Sequence, residues 1–231
     1  MFLSLSDTQS IYTRSADWYN VFVDKLKTAA RPYHSALREE QAERTKLLIA
    51  RAARERFVAS GWAGTSVRSV AAAAGVSEAT VYAVYGTKAG LAVSLVDSAD
   101  EAADVDRVMR ELSEADGHPH GQLAAFVGFD RRLFEHGGDG LRVLAEGMRN
   151  EPALAAAYEE GRGRGERTRR QVFSTWPAGT RRRGVTVQRA LDMYAVTVSI
   201  QAYDIATGER GWAPDRVERW WIDTLAEQLL A

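Results

Sequence analysis

Residues 65–91, TSVRSVAAAAGVSEATVYAVYGTKAGL, constrain the fold more than any other part of this 231-residue chain. Apolar residues recur there at helical spacing, and Gly75 stands where the first short helix has to end, because glycine accepts the left-handed backbone of a helix C-cap. Ser77 and Thr87 each stand where an N-cap is expected, since a hydroxyl can accept from the free N–H groups of the next turn. The segment is therefore predicted to form two short helices joined by a tight turn, followed by a capped third helix.

The second short helix is predicted to have an inner and an outer side. Val76, Val81 and Val84 fall where they can turn inward. The side chains left for the outer side are Glu78, Ala79, Thr80, Tyr82 and Ala83. A recognition helix presents such N-terminal residues to the major groove of DNA. The pattern is typical of a helix-turn-helix DNA reader.

This region resembles the DNA-binding domain of the TetR family of one-component transcriptional regulators. From Thr45 to about Asp97 the family features follow one another in order and at family spacing: TKLLIARAARERFVASG, WAGTSVRSVAAAAGVS, ATVY and YGTKAGL. The resemblance implies an all-α fold, in which an N-terminal three-helix helix-turn-helix domain precedes a C-terminal helical domain for ligand binding and dimerisation. It also implies a homodimer that binds double-stranded operator DNA, most simply a repressor released by a small-molecule effector.

The chain is predicted to have three segments. Residues 1–37 form a leader, 38–97 the DNA-binding domain, and 98–231 the effector-binding and dimerisation domain. The leader is too apolar for a plain basic arm, so a short helix packed on the body and a simple tail both stay open. Beyond about residue 97 helical spacing dominates. Helices are expected at 91–115, 121–136, 138–150, 153–176, 186–207 and 214–230.

Charge is unevenly distributed, although the formal net charge is only −1. Residues 38–91 contain eight basic and five acidic side chains, a charge of +3, whereas residues 92–117 contain two basic and eight acidic ones, a charge of −6. This arrangement would direct DNA phosphates to the predicted helix-turn-helix domain. The same charges would also be found if these helices simply had ordinary solvent-exposed faces.

Composition excludes several classes of protein. The chain has no cysteine, which rules out disulfides and thiolate metal sites. No uninterrupted apolar run reaches the roughly 18 residues of a membrane span, so no membrane partner is expected and a cytoplasmic location is predicted. His118 and His120 are too poorly spaced for zinc, and no nucleophile, catalytic dyad or nucleotide fingerprint occurs. No catalytic residue, metal or cofactor is therefore predicted.

The residues expected to contact DNA come from both short helices and the start of the third. The resemblance implies that Thr80, Tyr82 and Lys88 contact phosphates. It places Glu78, Ala79 and Ala83 where the family reads bases. The full predicted set is Thr65, Ser66, Arg68, Ser77, Glu78, Ala79, Thr80, Tyr82, Ala83, Tyr85 and Lys88.

The C-terminal domain is assigned two functions. Large side chains beside glycines in its middle helices predict an apolar effector pocket, lined by Phe126, Phe129, Met148, Tyr158, Trp176 and Tyr194. The last two helices are apolar around most of their girth, so a partner subunit is expected to cover one side, unless both are simply central in a monomer. The predicted interface residues are Val187, Leu191, Tyr194, Val198, Ala202, Val217, Trp221 and Leu225.

Two other functions are compatible with the sequence. One is a helical small-molecule-binding or catalytic protein that keeps a vestigial reader. The other is a DNA-binding protein, an activator or an architectural protein, that responds to no effector. Binding to the protein's own upstream DNA separates the first from a regulator, and titration of ligands into the DNA complex separates the second.

Overall fold

The computed structural model describes residues 36–231, apart from the side chains of residues 36, 37 and 97–102. The chain divides into two compact units, Met1–Arg44 and Thr45–Ala231, and every described helix other than the start of the first belongs to the second unit. Within the described residues the elements are helices, and the predicted all-α class is confirmed. The predicted leader lies outside the described residues up to position 35.

The first four helices build the reader. Helix α1 is broken near its end by Gly61 (φ 66°, ψ −176°). Ser66 caps α2 in a capping box with Ser69, and Gly75 ends that helix in the left-handed conformation with φ 68°, as expected. Ser77 caps α3 as predicted. The helices are α1 Ala36–Gly64, α2 Val67–Ala74, α3 Glu78–Tyr85 and α4 Lys88–Ala102.

The remaining helices form the C-terminal part of the chain. An isolated antiparallel bridge, Arg181 with Leu230, joins the loop after α7 to the chain end. A π-helical turn, Ile205–Glu209, directly follows α9. The helices are α5 Val105–Glu114, α6 Pro119–Gly147, α7 Pro152–Ser174, α8 Val187–Thr197, α9 Ile200–Asp204 and α10 Pro214–Leu229.

Two stretches expected to be continuous helices are broken. The predicted helix 91–115 is α4 and α5, because Asp104 adopts positive φ (59°) and its side chain caps α5 by accepting from the Arg107 N–H. The predicted helix 186–207 breaks after α8, where Ser199 caps α9 by accepting from the Ala202 N–H. In both places a short polar side chain competes for backbone groups, which favours a cap over a helix interior.

One expected break is absent. The sequence predicts two helices, 121–136 and 138–150, separated by the glycines of HGGDG, yet α6 runs through them. Tertiary packing explains the difference: a Cβ at Gly140 would lie 3.2 Å from Leu95 Cβ, so the glycine lets α4 and α6 approach closely. Packing of this kind overrides the low helix propensity of glycine.

The core of the reader continues into the C-terminal helices. Ile49, Ala52, Ala53 and Phe57 form the buried stripe of α1, whereas Leu48 is 46% exposed and lies outside it. On α3 Val81 is buried as predicted, whereas Val84 is 40% exposed because it turns away from α1 and α2. The same cluster includes side chains from α6 and α7, namely Val143, Leu144 and Leu154.

Gly147, at the end of α6, lies where this shared core is tightest. A Cβ added there would overlap Leu154 Cδ1 and lie 3.0 Å from the Trp62 ring. Trp62 itself stacks on Phe57 with ring centroids 5.9 Å apart. The missing side chain therefore lets the end of α1 pack directly on α6.

We expect Gly147→Ala to destabilise the protein by about 1–3 kcal/mol, because the methyl group overpacks this contact. Gly161→Ala is the matched control, since it also lies inside a helix but has no atom within 4 Å of its added Cβ. That control should stabilise the protein by about 0.5–1 kcal/mol, because alanine is the better helix former. Urea unfolding followed by circular dichroism measures both changes. Equal effects of the two substitutions would contradict the tight packing of Gly147.

Candidate nucleic-acid interface

Helix α3 is fixed at its N-terminus and open on its outer side. The Ser77 hydroxyl accepts from the Thr80 N–H at 3.1 Å and lies 2.8 Å from the Thr80 hydroxyl. Ala79, Tyr82 and Ala83 face solvent, and Tyr82 is 49% exposed. Small side chains on an exposed helix face allow close approach to a groove, and the phenol offers a polar tip. This face matches the predicted outer side of the reader.

An ion pair lies across the start of α2 and α3. Arg68 Nε donates to Glu78 Oε1 at 2.9 Å, and the two side chains are 84% and 41% exposed. The hydrogen bond and the charge of Glu78 raise the pKa of the Arg68 guanidinium. Because the pair is exposed, it is weak and can open when a phosphate competes for Arg68. Both predicted residues therefore lie at the reader surface, paired with each other.

Two predicted DNA contacts have internal roles instead. Thr65 is buried at 3% exposure, and its hydroxyl lies 3.0 Å from the Arg56 carbonyl and 2.8 Å from the Gly61 carbonyl. It secures the end of α1, and the cap is Ser66, which is exposed beside it. The Tyr85 hydroxyl donates to the Lys46 carbonyl at 3.1 Å, which ties α3 to α1. The Thr65 hydroxyl is therefore used within the chain and is not presented to DNA, and a contact of Thr65 with DNA stays a prediction that this side chain does not support.

Lys88 also differs from the prediction. Its Nζ donates to the Trp62 carbonyl at 2.5 Å and lies 4.0 Å from the centroid of the Trp62 ring. Partial burial lowers the pKa of the ammonium group. In this structure Lys88 therefore binds the carbonyl end of α1 rather than presenting its charge to phosphate, and the predicted phosphate contact requires that bond to break.

Glu146 of α6 holds the same segment from the other side. Its carboxylate accepts from the Trp62 N–H at 2.8 Å and from the Ala63 N–H at 3.3 Å. These N–H groups are free for it because Gly61 interrupts α1. Sequence reasoning missed Glu146, since no local pattern links it to a residue more than 80 positions earlier.

A chain of ion pairs connects α1 to α9 through α6. Arg54 Nη2 lies 3.0 Å from Asp139 Oδ2 and donates to the His136 carbonyl at 3.0 Å. Arg142 Nη1 lies 3.2 Å from Asp139 Oδ1. The same guanidinium binds Asp204 in a bidentate pair at 2.9 and 2.5 Å. Displacement of α6 would therefore strain its links to α1 and α9.

Another face of α6 packs on α7 and α8 through polar and aromatic groups. Gln122 Oε1 accepts from Trp176 Nε1 at 2.9 Å. Asp130 Oδ2 accepts from the Tyr194 hydroxyl at 2.7 Å and lies 3.2 Å from Arg169 Nη1. Gln122 and Asp130 are eight residues apart, which keeps them on one side of the helix.

The predicted ligand residues do not form one group. Phe126, Trp176 and Tyr194 gather around Phe173, with ring centroids 6.0, 4.4 and 6.4 Å from it. Met148 and Tyr158 instead pack against the reader core, and Phe129 is half-buried. Spacing along separate helices carries no information about which rings meet.

Most of the predicted dimer residues lie inside the protomer. Trp221, for example, is fully buried, with its ring 6.1 Å from that of Phe134 and 6.3 Å from that of Tyr203. Side chains in the core of one protomer are already covered, so these positions are not available to a partner in this structure, and the interface itself stays a prediction. The buried ones are Leu191, Tyr194, Val198, Val217, Trp221 and Leu225, whereas Val187 and Ala202 are half-buried.

The same C-terminal region nevertheless exposes other apolar side chains. Val196 of α8 is 80% exposed, Ile205 48%, and Trp220 of α10 47%. An open groove between α8 and α10 is lined by Asp192, Met193, Val196, Thr197 and Gln228. Of these side chains Val196 lines the groove, which makes this part of the surface a candidate interaction surface.

A metal site and a membrane-spanning helix each place requirements on the residues that the structure describes. Within this part of the chain no group of three or more acidic or histidine side chains is placed to hold a metal ion. No single helix among these residues is long and apolar enough to cross a membrane. One bent pair of helices, Glu78–Tyr85 with Lys88–Val96, reaches the required length and apolarity when its two members are combined.

Comparison with known proteins agrees with this geometry. Residues 49–95 match the model of the family described as "Bacterial regulatory proteins, tetR family". No curated protein sequence matches the chain significantly.

Solved structures share the fold over most of the chain. NalD of Pseudomonas aeruginosa, described as the secondary repressor of the MexAB-OprM multidrug efflux pump, has a TM-score of 0.65 at 21% identity, covering 82% of this chain and 98% of its own. PfmR of Thermus thermophilus, a TetR family transcriptional regulator, has a TM-score of 0.58 at 22% identity, covering 78% and 97%. A putative transcriptional regulator of Saccharomonospora viridis in complex with choline has a TM-score of 0.63 at 15% identity, covering 84% and 99%.

The matched residues 49–95 include the capped helix pair, its exposed outer face and the start of α4, and the fold beyond them is also found in regulators. Residues 49–95 therefore match the DNA-binding domain of the tetR family, and the fold over most of the chain resembles that of solved TetR-like regulators.

Proposed function

We propose that the protein is a repressor that binds operator DNA as a homodimer, with α3 in the major groove. The observation that carries this proposal is the outer face of α3, where Ala79, Tyr82 and Ala83 are exposed beside a fixed N-terminus. Ser66, Arg68, Ser77, Glu78 and Thr80 surround that face. The two recognition helices of such a dimer have to lie about 34–36 Å apart to meet successive turns of one duplex face.

The dimer interface that we propose is the exposed face of α8 and α10. Val196 and Trp220 supply its apolar area, and the groove beside Met193 and Gln228 gives it shape. A twofold axis through this face would bring the same patch of each protomer together, as an isologous interface requires. This assignment keeps the helices predicted from sequence but uses their exposed residues instead of their buried ones.

We further propose that a small molecule releases the protein from DNA. The choline complex of the Saccharomonospora viridis protein supports a small-molecule ligand for this fold. The aromatic cluster around Phe173 offers apolar surface with a few polar groups, the usual composition of ligand sites. Helix α6 borders this cluster and also holds α1 through Asp139 and Glu146, so it is the natural route between ligand and reader.

The domain boundaries in this proposal stay at 38–97 and 98–231, with the protein acting in the cytoplasm where operator DNA is found. No catalytic step is part of it. The alternative of an effector-independent DNA-binding protein is favoured by the close contacts of Phe173 with its neighbouring rings. Titration of ligands into the operator complex distinguishes the two, because only a regulator with an effector releases DNA.

For DNA binding, we expect Glu78→Gln to strengthen binding to duplexes of any sequence. The change removes a negative charge at the reader surface and frees Arg68 for a phosphate. The slope of log affinity against log salt should steepen by about one unit, the contribution of one phosphate contact. Fluorescence anisotropy over a range of salt concentrations measures it.

Glu160→Gln is the matched control, since it breaks the exposed pair with Arg167 on α7 and changes the net charge equally. Its salt slope should equal that of the wild type. An unchanged slope for Glu78→Gln would show that Arg68 makes no phosphate contact when released.

For assembly, we expect Val196→Asp to weaken the dimer by roughly 100-fold or more, because each protomer would bury an unpaired carboxylate in the interface. Operator affinity should fall in parallel. Val105→Asp is the control, as Val105 is 44% exposed at the start of α5, away from this face. Sedimentation velocity over a dilution series gives the dissociation constants. A Val196→Asp protein that dimerises like the control would place the interface elsewhere.

A further inference from the structure

The contact of α6 with α7 and α8 contains three facing pairs, which we call the buried ladder. On α6 its members are two polar side chains with a phenylalanine between them, and facing them are an arginine and a phenylalanine of α7 and a tryptophan just beyond its end. The pairs are Gln122 with Trp176, Phe126 with Phe173, and Asp130 with Arg169. Tyr194 of α8 completes the ladder at the Asp130 end.

Asp130 is a buried anion with incomplete compensation. Its carboxylate receives the Tyr194 hydroxyl at 2.7 Å, but its contact with a cation is a single Arg169 hydrogen bond at 3.2 Å. Burial raises the pKa of Asp130 even though Arg169 and Tyr194 act in the opposite direction. A cation that made shorter or additional hydrogen bonds to this carboxylate would therefore stabilise its charge more than Arg169 does.

The guanidinium of Arg169 occupies a position suited to an organic cation. It lies 4.5 Å from the centroid of the Tyr194 ring, and Phe173 packs against the same ring. A cation between a carboxylate and aromatic rings is the arrangement in which proteins bind quaternary ammonium and guanidinium groups. The Arg169 side chain is 15% exposed, so this position reaches the surface.

Gly165 makes the room that Arg169 uses. A Cβ at that position, one turn earlier on α7, would lie 2.9 Å from Arg169 Nη2. The missing side chain lets the guanidinium fold back along α7, and withdrawal of Arg169 would leave a recess between Gly165 and Tyr194.

The far end of the buried ladder has an unused donor. Gln122 is 1% exposed, and its Nε2 has no hydrogen-bond partner, although its Oε1 accepts from Trp176. A buried N–H without a partner has lost its hydrogen bond to water and gained none in return, so an acceptor placed there would stabilise it. Two polar groups of the ladder, at its two ends, are thus incompletely satisfied by the chain itself.

We propose that the buried ladder is a binding site for an organic cation, whose charged group replaces the Arg169 guanidinium between Asp130 and Tyr194. Arg169 is then a built-in occupant that fills the site until the ligand arrives. A hydrogen-bond acceptor on the same molecule would meet Gln122. If this site is the effector site, the inference names the chemical class of the effector, and only that step rests on the proposed function.

Chemical rescue tests the site directly. Arg169→Ala should lower the melting temperature, and methylguanidinium should raise it again with saturation, because the ion restores the missing charge. N-methylurea has nearly the same shape without the charge and should not rescue. The double variant Asp130→Asn/Arg169→Ala should show no rescue by either compound. Equal responses to the two compounds, or rescue of the double variant, would overturn the proposal.

Arg167→Ala is the matched control on the same helix, since the Arg167 side chain is 62% exposed and pairs with Glu160 at the surface. Its response to methylguanidinium should equal that of the wild type. A rescue as large as that of Arg169→Ala would mean that the ion acts on the surface, and the proposal would fail.

A second variant covers the case in which Arg169→Ala does not fold. Arg169→Gln keeps a donor near Asp130 but removes the competing charge, so benzamidinium should bind it about tenfold more tightly than it binds the wild type. Benzamide, the neutral isostere, should bind neither protein. Calorimetry without DNA measures both. Equal benzamidinium affinities for the variant and the wild type would exclude Arg169 as the occupant.

The regulatory part is measured separately. Benzamidinium at saturating concentration should release operator DNA from the wild type, and benzamide should not. If benzamidinium binds in calorimetry but does not release DNA, the cation site is supported and its role as the effector site is refuted. If the protein does not bind its upstream DNA at all, the proposed function is refuted. The calorimetric result still tests the cation site, because it is measured without DNA.

Discussion

Helix α6 is the constraint on which the rest of the structure depends, because a single helix supplies contacts to every functional part. Near its end Asp139 and Glu146 bind α1, the first through Arg54 and the second through two N–H groups beyond Gly61. Near its start Gln122 and Asp130 face α7 and α8. A helix rises about 1.5 Å per residue, so these two regions are joined by a rod of roughly 35 Å from residue 122 to residue 146. A change at one end is then transmitted without any rearrangement of the intervening loops.

Local sequence signals were sufficient wherever one residue determines the backbone. Gly75 and Ser77 fixed the turn of the reader, because a left-handed C-cap and a hydroxyl N-cap each require few side chains. Local signals could not predict the helix ends that depend on packing against residues distant in sequence. The glycines of HGGDG are a helix break by propensity, yet α4 packs against Gly140 and the helix continues. Asp104 is the converse case, an ordinary helix residue by spacing that caps α5 from a positive φ.

The spacing of apolar residues also could not distinguish a helix buried inside one protomer from a helix that packs against a partner subunit. Trp221 and Leu225 are apolar at helical spacing, as an interface residue would be, but the protomer's own core covers them. Lys88 shows the same limit for charge: its position matches a phosphate contact, and only the fold reveals the Trp62 carbonyl within 2.5 Å. Such pairings depend on residues 26 to 84 positions apart, which spacing within one helix does not encode.

The middle of α6 is intrinsically weak, and this weakness has a structural cause. Each interior glycine costs about 1 kcal/mol relative to alanine, and three lie within four residues at 137, 138 and 140. Two of them have a use: Gly140 lets α4 approach, and Gly138 leaves space beside the Arg142 guanidinium, whose Nη1 would lie 2.9 Å from an added Cβ. The space at Gly138 is thus used by the guanidinium that binds Asp204 and Asp139. The ion pairs that join α6 to α1 and α9 consequently surround the very turn that glycine weakens, so these external contacts support the helix there. A ligand that loosened those contacts would act on α6 where it bends most easily.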